Sequence, residues 1–149
     1  MKISRAVLKI TAGPNKGDTL SVDLGACRLV GRHLSDSETA LIDRSGNRVL
    51  DGAATSILSR HLKDRTPPVA GQVDDFSVSA FERGADIIFA DDAISRAHAM
   101  VFFDTSGVGI IDLASTNGTF VNEQRITSQL VQDGDSITLG SSSFTVQLR

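Results

Sequence analysis

Apolar and polar residues alternate with period two along most of the chain, the signature of strands that bury one face. Val7-Leu8-Lys9-Ile10 runs into the turn Gly13-Pro14-Asn15-Lys16-Gly17, after which Leu20, Val22 and Leu24 alternate with Thr19, Ser21 and Asp23. Arg28-Leu29-Val30 reads as a third strand, ending at Gly31-Arg32. Further on, His98, Met100 and Phe102 alternate with Ala99, Val101 and Phe103, both sets largely apolar. This strand is therefore expected to be covered on both faces, like an inner strand of a sandwich. Short strands are expected at 108–112, 119–121, 136–139 and 144–148, separated by polar turns such as Asn122-Glu123-Gln124 and Asp133-Gly134-Asp135. Such a series predicts an all-β fold, an antiparallel β-sandwich.

One region departs from this rhythm. Between Asp51 and Leu62 the apolar residues Ala54, Ile57, Leu58 and Leu62 fall on one helical face, and Pro67-Pro68 follows as a stop. This predicts a helix at about 51–63, carried by an insertion over 34–73. Its flanks, Ser35-Asp36-Ser37-Glu38 and Val69-Ala70-Gly71-Gln72, read as loops. The chain of 149 residues is expected to form a single domain.

Composition changes the picture mainly by exclusion. A net charge of −3, with seven Phe and no Trp or Tyr, offers neither the basic face nor the stacking platform of a nucleic-acid reader. The single cysteine, Cys27, cannot form an intrachain disulfide and sits in an apolar stretch as a small core residue. No apolar run approaches the roughly 20 residues of a membrane span, so no membrane association is expected and a cytoplasmic location follows as the default. His33, His61 and His98 are scattered and lack cysteine partners, which predicts no metal site and no cofactor.

The candidate chemistry gathers in three places: Gly31-Arg32, Ile94-Ser95-Arg96-Ala97-His98-Ala99, and Leu113-Ala114-Ser115-Thr116-Asn117-Gly118-Thr119. Arginines, hydroxyls and an amide at loop positions are the equipment of a phosphate-binding surface. A phosphorylated side chain brings about −1.5 to −2 charges and three acceptor oxygens, and Arg32 suits it with a permanent charge and a planar fork of donors. Ser95, His98 and Asp112 supply the residue types of a hydrolytic triad. Ser95 and His98 stand three apart, however, and would face opposite sides of an extended strand, and no Gly-x-Ser-x-Gly elbow is present.

These motifs, with the closing Asp133-Gly134-Asp135-Ser136-Ile137-Thr138-Leu139-Gly140, resemble the forkhead-associated (FHA) domain. The resemblance covers 8–32 and 86–148. It implies a β-sandwich whose loops at one end bind phosphothreonine peptides, with Arg32, Ser95 and Thr116 on the phosphate and Asn117 on the peptide backbone; Arg96, directly after Ser95, would either add a second cation or point to solvent. Gly31, His98, Ser115 and Gly118 would support the site, and Asn122 reads rather as a turn residue. The implied partner is a phosphothreonine-containing protein, either a Ser/Thr kinase or its substrate. A phosphate-independent assembly or scaffold protein that docks partners through the insert is the alternative.

One departure leaves the key arginine open. In the family the Gly-Arg pair lies a handful of residues before an Asp-Ile pair like Asp86-Ile87, whereas residues 33–85 intervene here. Either the chain after Arg32 carries a long insertion that returns at Asp75–Phe81, or the family's strand is Ser77–Arg83 and Arg83 is the phosphate-site arginine. The insert itself would either pack on the sandwich as an accessory layer or extend the peptide-binding end.

Overall fold

A computed structural model of the protein describes residues 3–62 and 81–149. The strands are β1 (Arg5–Ala12), β2 (Thr19–Asp23), β3 (Ala26–Arg32), β4 (Glu82–Arg83), β5 (Ile87–Phe89), β6 (Ala99–Asp104), β7 (Gly107–Asp112), β8 (Thr119–Val121), β9 (Gln124–Ile126), β10 (Ser128–Val131), β11 (Ser136–Leu139) and β12 (Ser142–Leu148). A helix, α1 (Gly52–Leu62), stands between β3 and β4. One sheet runs β2-β1-β12-β11-β8-β9; the other runs β10-β7-β6-β3-β4, with β5 also pairing β3.

Alternation sets the register. Leu8 stands opposite Val146 and Ile10 opposite Phe144 across β1 and β12, so the apolar set of each strand shares one face. That face meets Val30, Phe89, Val101, Phe103 and Ile110 of the other sheet in a common core.

The expected antiparallel sandwich is present, with one qualification: β4 and β5 pair with β3 in parallel. Parallel neighbours need a long crossover, and the inserted segment supplies it. Most of that segment's second half lies outside the described residues, including Pro67-Pro68, the flank 69–72 and the expected return at Asp75–Phe81 apart from Phe81. Of the alternative Ser77–Arg83 strand, only Glu82–Arg83 is seen as strand.

The helix falls where the periodicity placed it. Asp51 caps it, its Oδ1 accepting from the Ala54 amide at 2.8 Å. The stripe Ala54, Leu58 and Leu62 is buried against Cys27, Leu29, Met100, Phe102, Ile111 and Leu113 on the outer face of the second sheet. The expectation of two covered faces for 98–103 is met, and the helix is what covers the outer one. Strand β6 is buried at every position, but only Ala99, Val101 and Phe103 face the other sheet; Met100 and Phe102 lie under the helix. A doubly apolar strand signals two covered faces and does not say what covers each.

Candidate functional site

The site lies where the end of β3 meets the loops before β6 and after β7. Three backbone bonds fix their relative positions: Arg32 N–H to Ser95 O at 3.1 Å, His98 N–H to Val30 O at 2.9 Å, and Leu113 N–H to His98 O at 2.9 Å. The fit is close around Gly31, where a Cβ would run into the Arg96 carbonyl and approach Arg48 Nη1 to 3.2 Å. Gly31→Ala is therefore expected to cost about 1–3 kcal/mol of stability in a denaturant melt. Gly52→Ala, with open space at its Cβ and a place in the first turn of α1, is expected to be neutral or slightly stabilising.

His98 is a brace. Its Nδ1 accepts the Ser95 N–H at 3.0 Å, which leaves the proton on Nε2, and Nε2 donates to Gly118 O at 2.9 Å. One fully buried ring thus ties the Ser95 loop to the Gly118 loop. Burial pushes the imidazole below its ordinary pKa, against the hydrogen bond it donates to the Gly118 carbonyl and the nearby carboxylates of Asp112 and Asp91, and the ring stays neutral.

The arrangement cannot act as a triad, though for a different reason from strand geometry. Ser95 to His98 is a turn, not an extended strand. Both ring nitrogens are committed to backbone, Ser95 Oγ accepts from the Thr116 N–H at 3.0 Å, and Asp112 accepts from the hydroxyls of Ser115 and Thr119. No proton path joins serine, histidine and aspartate.

The second loop is stitched in the same way. Ser115 is buried, takes its place through Asp112 and accepts the Gly118 N–H at 3.0 Å. Gly118 adopts a φ of 89°, in the left-handed region that suits glycine. Asn117 is exposed and its Nδ2 donates to Ala93 O at 2.8 Å, so its amide first secures the neighbouring loop. Asn122 is a turn residue with φ 48°, bridging to Asp135 and Ser136.

Arg32, Ser95, Arg96 and Thr116 line one cleft of about 800 Å³, and the inserted segment forms its opposite wall with Leu34, Leu41, Arg48, Val49 and Leu50. Arg83 does not line this cleft; its Nη2 donates to Arg48 O at 2.7 Å and Asp86 Oδ1 at 3.0 Å. The Arg32 guanidinium is anchored by Nε to Ile94 O at 3.1 Å and offers its fork outward. That fork holds the Glu38 carboxylate, Nη1 to Oε1 at 2.7 Å and Nη2 to Oε2 at 3.0 Å. The guanidinium and the Ser35 backbone N–H hold the Glu38 carboxyl well below the usual carboxylate range, and the same pairing raises Arg32.

Several of these contributors escaped the sequence reading. Glu38 was visible only as part of a loop, although Ser35-x-x-Glu38 has the spacing of a capping box, and Glu38 Oε1 does accept the Ser35 N–H at 3.0 Å. Asn47 is buried and pins the insert to the frame, Nδ2 donating to Gly84 O at 3.0 Å and Oδ1 accepting the Asp86 N–H at 2.9 Å. Asp91 accepts from Ala93, Ser141 and the Ser142 hydroxyl, which locks the Ser95 loop to the β11–β12 turn. A lone Asn or Asp in a polar stretch gives no sign that it will be buried. Among the described residues no cluster of His, Cys, Asp and Glu could hold a metal, and no helix is long and apolar enough to cross a membrane.

Residues 79–140 match the model of the FHA domain family. The match takes in Ser95 to Asn117 and Arg83 but begins beyond Arg32. The glycogen accumulation regulator GarA of Mycobacterium tuberculosis is 30% identical over 82 residues, covering 55% of this chain and 45% of that protein, so the chain spans less than half of that relative's length. The FHA domain of the CT664 protein from Chlamydia trachomatis superposes with a TM-score of 0.57 at 23% identity, over 97% of both chains. Mycobacterium tuberculosis EmbR, in complex with a low affinity phosphopeptide, superposes with a TM-score of 0.54 at 18% identity, over 97% of this chain and 24% of that one. Sequence match and fold agree: residues 79–140 are similar to the FHA domain family, and the described residues share the fold of solved FHA domains, with helix α1 on a segment inserted between β3 and β5.

Proposed function

We propose that the protein is a non-catalytic module that binds phosphothreonine in a partner protein, a Ser/Thr kinase or one of its substrates. The observation that carries this reading is the Arg32 fork, which stands in a cleft with Ser95, Arg96 and Thr116 and already grips an oxyanion in bidentate fashion. Arg32 takes two phosphate oxygens, the Ser95 hydroxyl proton a third, and Arg96 adds charge from an exposed position. Thr116 offers its hydroxyl from the facing loop, and Asn117 keeps one amide hydrogen and its carbonyl for the peptide backbone. His98, Ser115, Gly31 and Gly118 hold these groups in place. The FHA family match over 79–140 and the fold shared with EmbR, a protein seen in complex with a phosphopeptide, support the reading.

Titration with matched peptides tests it. Phosphothreonine is expected to bind more tightly than phosphoserine, the missing methyl contact being worth about 1 kcal/mol. Affinity for both falls as pH drops from about 7.5 to about 5, because the phosphate's second pKa is about 6 while Glu38, held well below the usual range, remains a charged competitor. Identical titrations of the two phosphopeptides would mean that the threonine methyl makes no contact of its own, and an affinity independent of pH would remove the dianion. A phosphate-independent scaffold is favoured by one observation, the exposed Leu41, Ile42 and Val49 of the insert. That reading requires a partner captured equally well by Arg32→Ala.

A further inference from the structure

Glu38 lies on the chain between two fixed points. At one end Arg32 is hydrogen-bonded into the sheet through Ser95 O. At the other, Asn47 and Arg48 are pinned to Gly84, to Asp86 and, through Arg48 Nη1 at 2.7 Å, to the Arg96 carbonyl. A turn organised by Asp43, whose Oδ1 accepts the amides of Ser45 and Asn47, closes the far end. From 35 to 46 every residue except Glu38 is exposed. Glu38 is thus the one side chain of this stretch drawn inward, and it is drawn onto the fork of Arg32, with Arg96 Nε 3.9 Å from its Oε2.

A surface ion pair of this length would ordinarily be worth little. Its importance here is positional. The carboxylate satisfies both outward nitrogens of the guanidinium that, on the proposed function, must receive the phosphate, and a planar fork cannot hold two oxyanions in the same bidentate geometry. Tethering raises the stakes, because a group a few residues from its site competes at an effective concentration in the millimolar range.

We propose that Glu38 is an intramolecular occupant of the phosphate site, which external ligands must displace and which sets what the site accepts. The proposal rests on the phosphothreonine reading of that site. A peptide carrying glutamate in place of phosphothreonine offers the same chemical group as Glu38 without the tether, and at micromolar concentration it loses the competition. A phosphate dianion brings more charge and a third oxygen for Ser95, and it wins. Glu38 therefore acts as a filter, holding the site closed to single carboxylates and lowering its affinity for phosphopeptide by the fraction of molecules in which the fork is free. The exposed stretch from Ser35 to Gly46 is the part of the chain that must move aside, while Asn47 and Arg48 keep their anchors.

The test compares the wild-type chain with E38Q and E38A by calorimetric titration against a phosphothreonine peptide and its glutamate-substituted twin. Gln keeps the length of the side chain and its bond from the Ser35 amide while removing the charge, so the turn is preserved. Both variants are expected to bind the phosphopeptide at least about tenfold more tightly than wild type, the gain that follows if the fork is free in a tenth of molecules or fewer. E38Q is also expected to bind the glutamate peptide measurably where wild type does not. A variant melt lowered by the loss of the ion pair, with phosphopeptide affinity unchanged or weaker, would make Glu38 a structural partner of Arg32 and overturn the proposal while leaving the phosphothreonine reading intact. If neither wild type nor the variants bind the phosphopeptide, the phosphothreonine reading itself falls, and the filter with it.

Discussion

Arg32→Ala is expected to lower phosphothreonine-peptide affinity by about 2–5 kcal/mol, the scale for removing one partner of a desolvated charge pair. The size follows from what the side chain does. Its guanidinium is aimed by the Ile94 carbonyl and offers two parallel donors to one oxyanion, so truncation removes charge and geometry together. Arg32→Lys keeps the charge but not the fork and should recover only part of the loss. Arg83→Ala is the necessary comparison, since the family match includes Arg83 and not Arg32. Arg83 is bound to Arg48 O and Asp86, so its loss is expected to loosen the insert's anchor and lower stability before it touches affinity. Calorimetry on the three variants decides which arginine carries the phosphate; a silent Arg32→Ala beside a damaging Arg83→Ala would transfer the role.

Leu58→Ala is expected to remove about 2–5 kcal/mol of stability, the range for truncating a buried leucine. Leu58 is fully buried at the centre of the helix stripe, over Met100, Phe102 and Ile111. At roughly 2–4 °C per kcal/mol for a chain of this size, melting should fall by about 4–20 °C. Because α1 packs on the outer face of the second sheet, phosphopeptide affinity at 20 °C is expected to stay within about twofold. An unchanged melt would mean that the helix adds no stability; a collapse of affinity in a folded variant would tie it to the site.

The insert divides into two stretches with different surroundings. The helix at 52–62 is an accessory layer, while the stretch from Leu34 to Leu50 walls the cleft and sends Glu38 into it. Periodicity could reveal the first, because a buried stripe leaves a mark every third or fourth residue. It could not reveal the second: Glu38 reaches Arg32 through a tight turn, and a single charge in a polar loop looks the same whether it faces water or an arginine. Short edges were equally hard to read. Strands β4, β9 and β10 are mostly exposed and so carry no buried apolar face for alternation to mark. What the loop motifs did convey was the grouping of Arg32, Ser95, Arg96 and Thr116. They do not convey that 95–98 forms a turn, which is what lets the His98 ring reach back to the Ser95 amide.

Recognition of phosphate on threonine by the cleft is tested most directly by calorimetric titration of the wild-type chain with a phosphothreonine peptide and its unphosphorylated twin. Saturable binding of the phosphopeptide, with no measurable heat from the twin at the same concentrations, is the expected result. Equal affinity for the two peptides would contradict it.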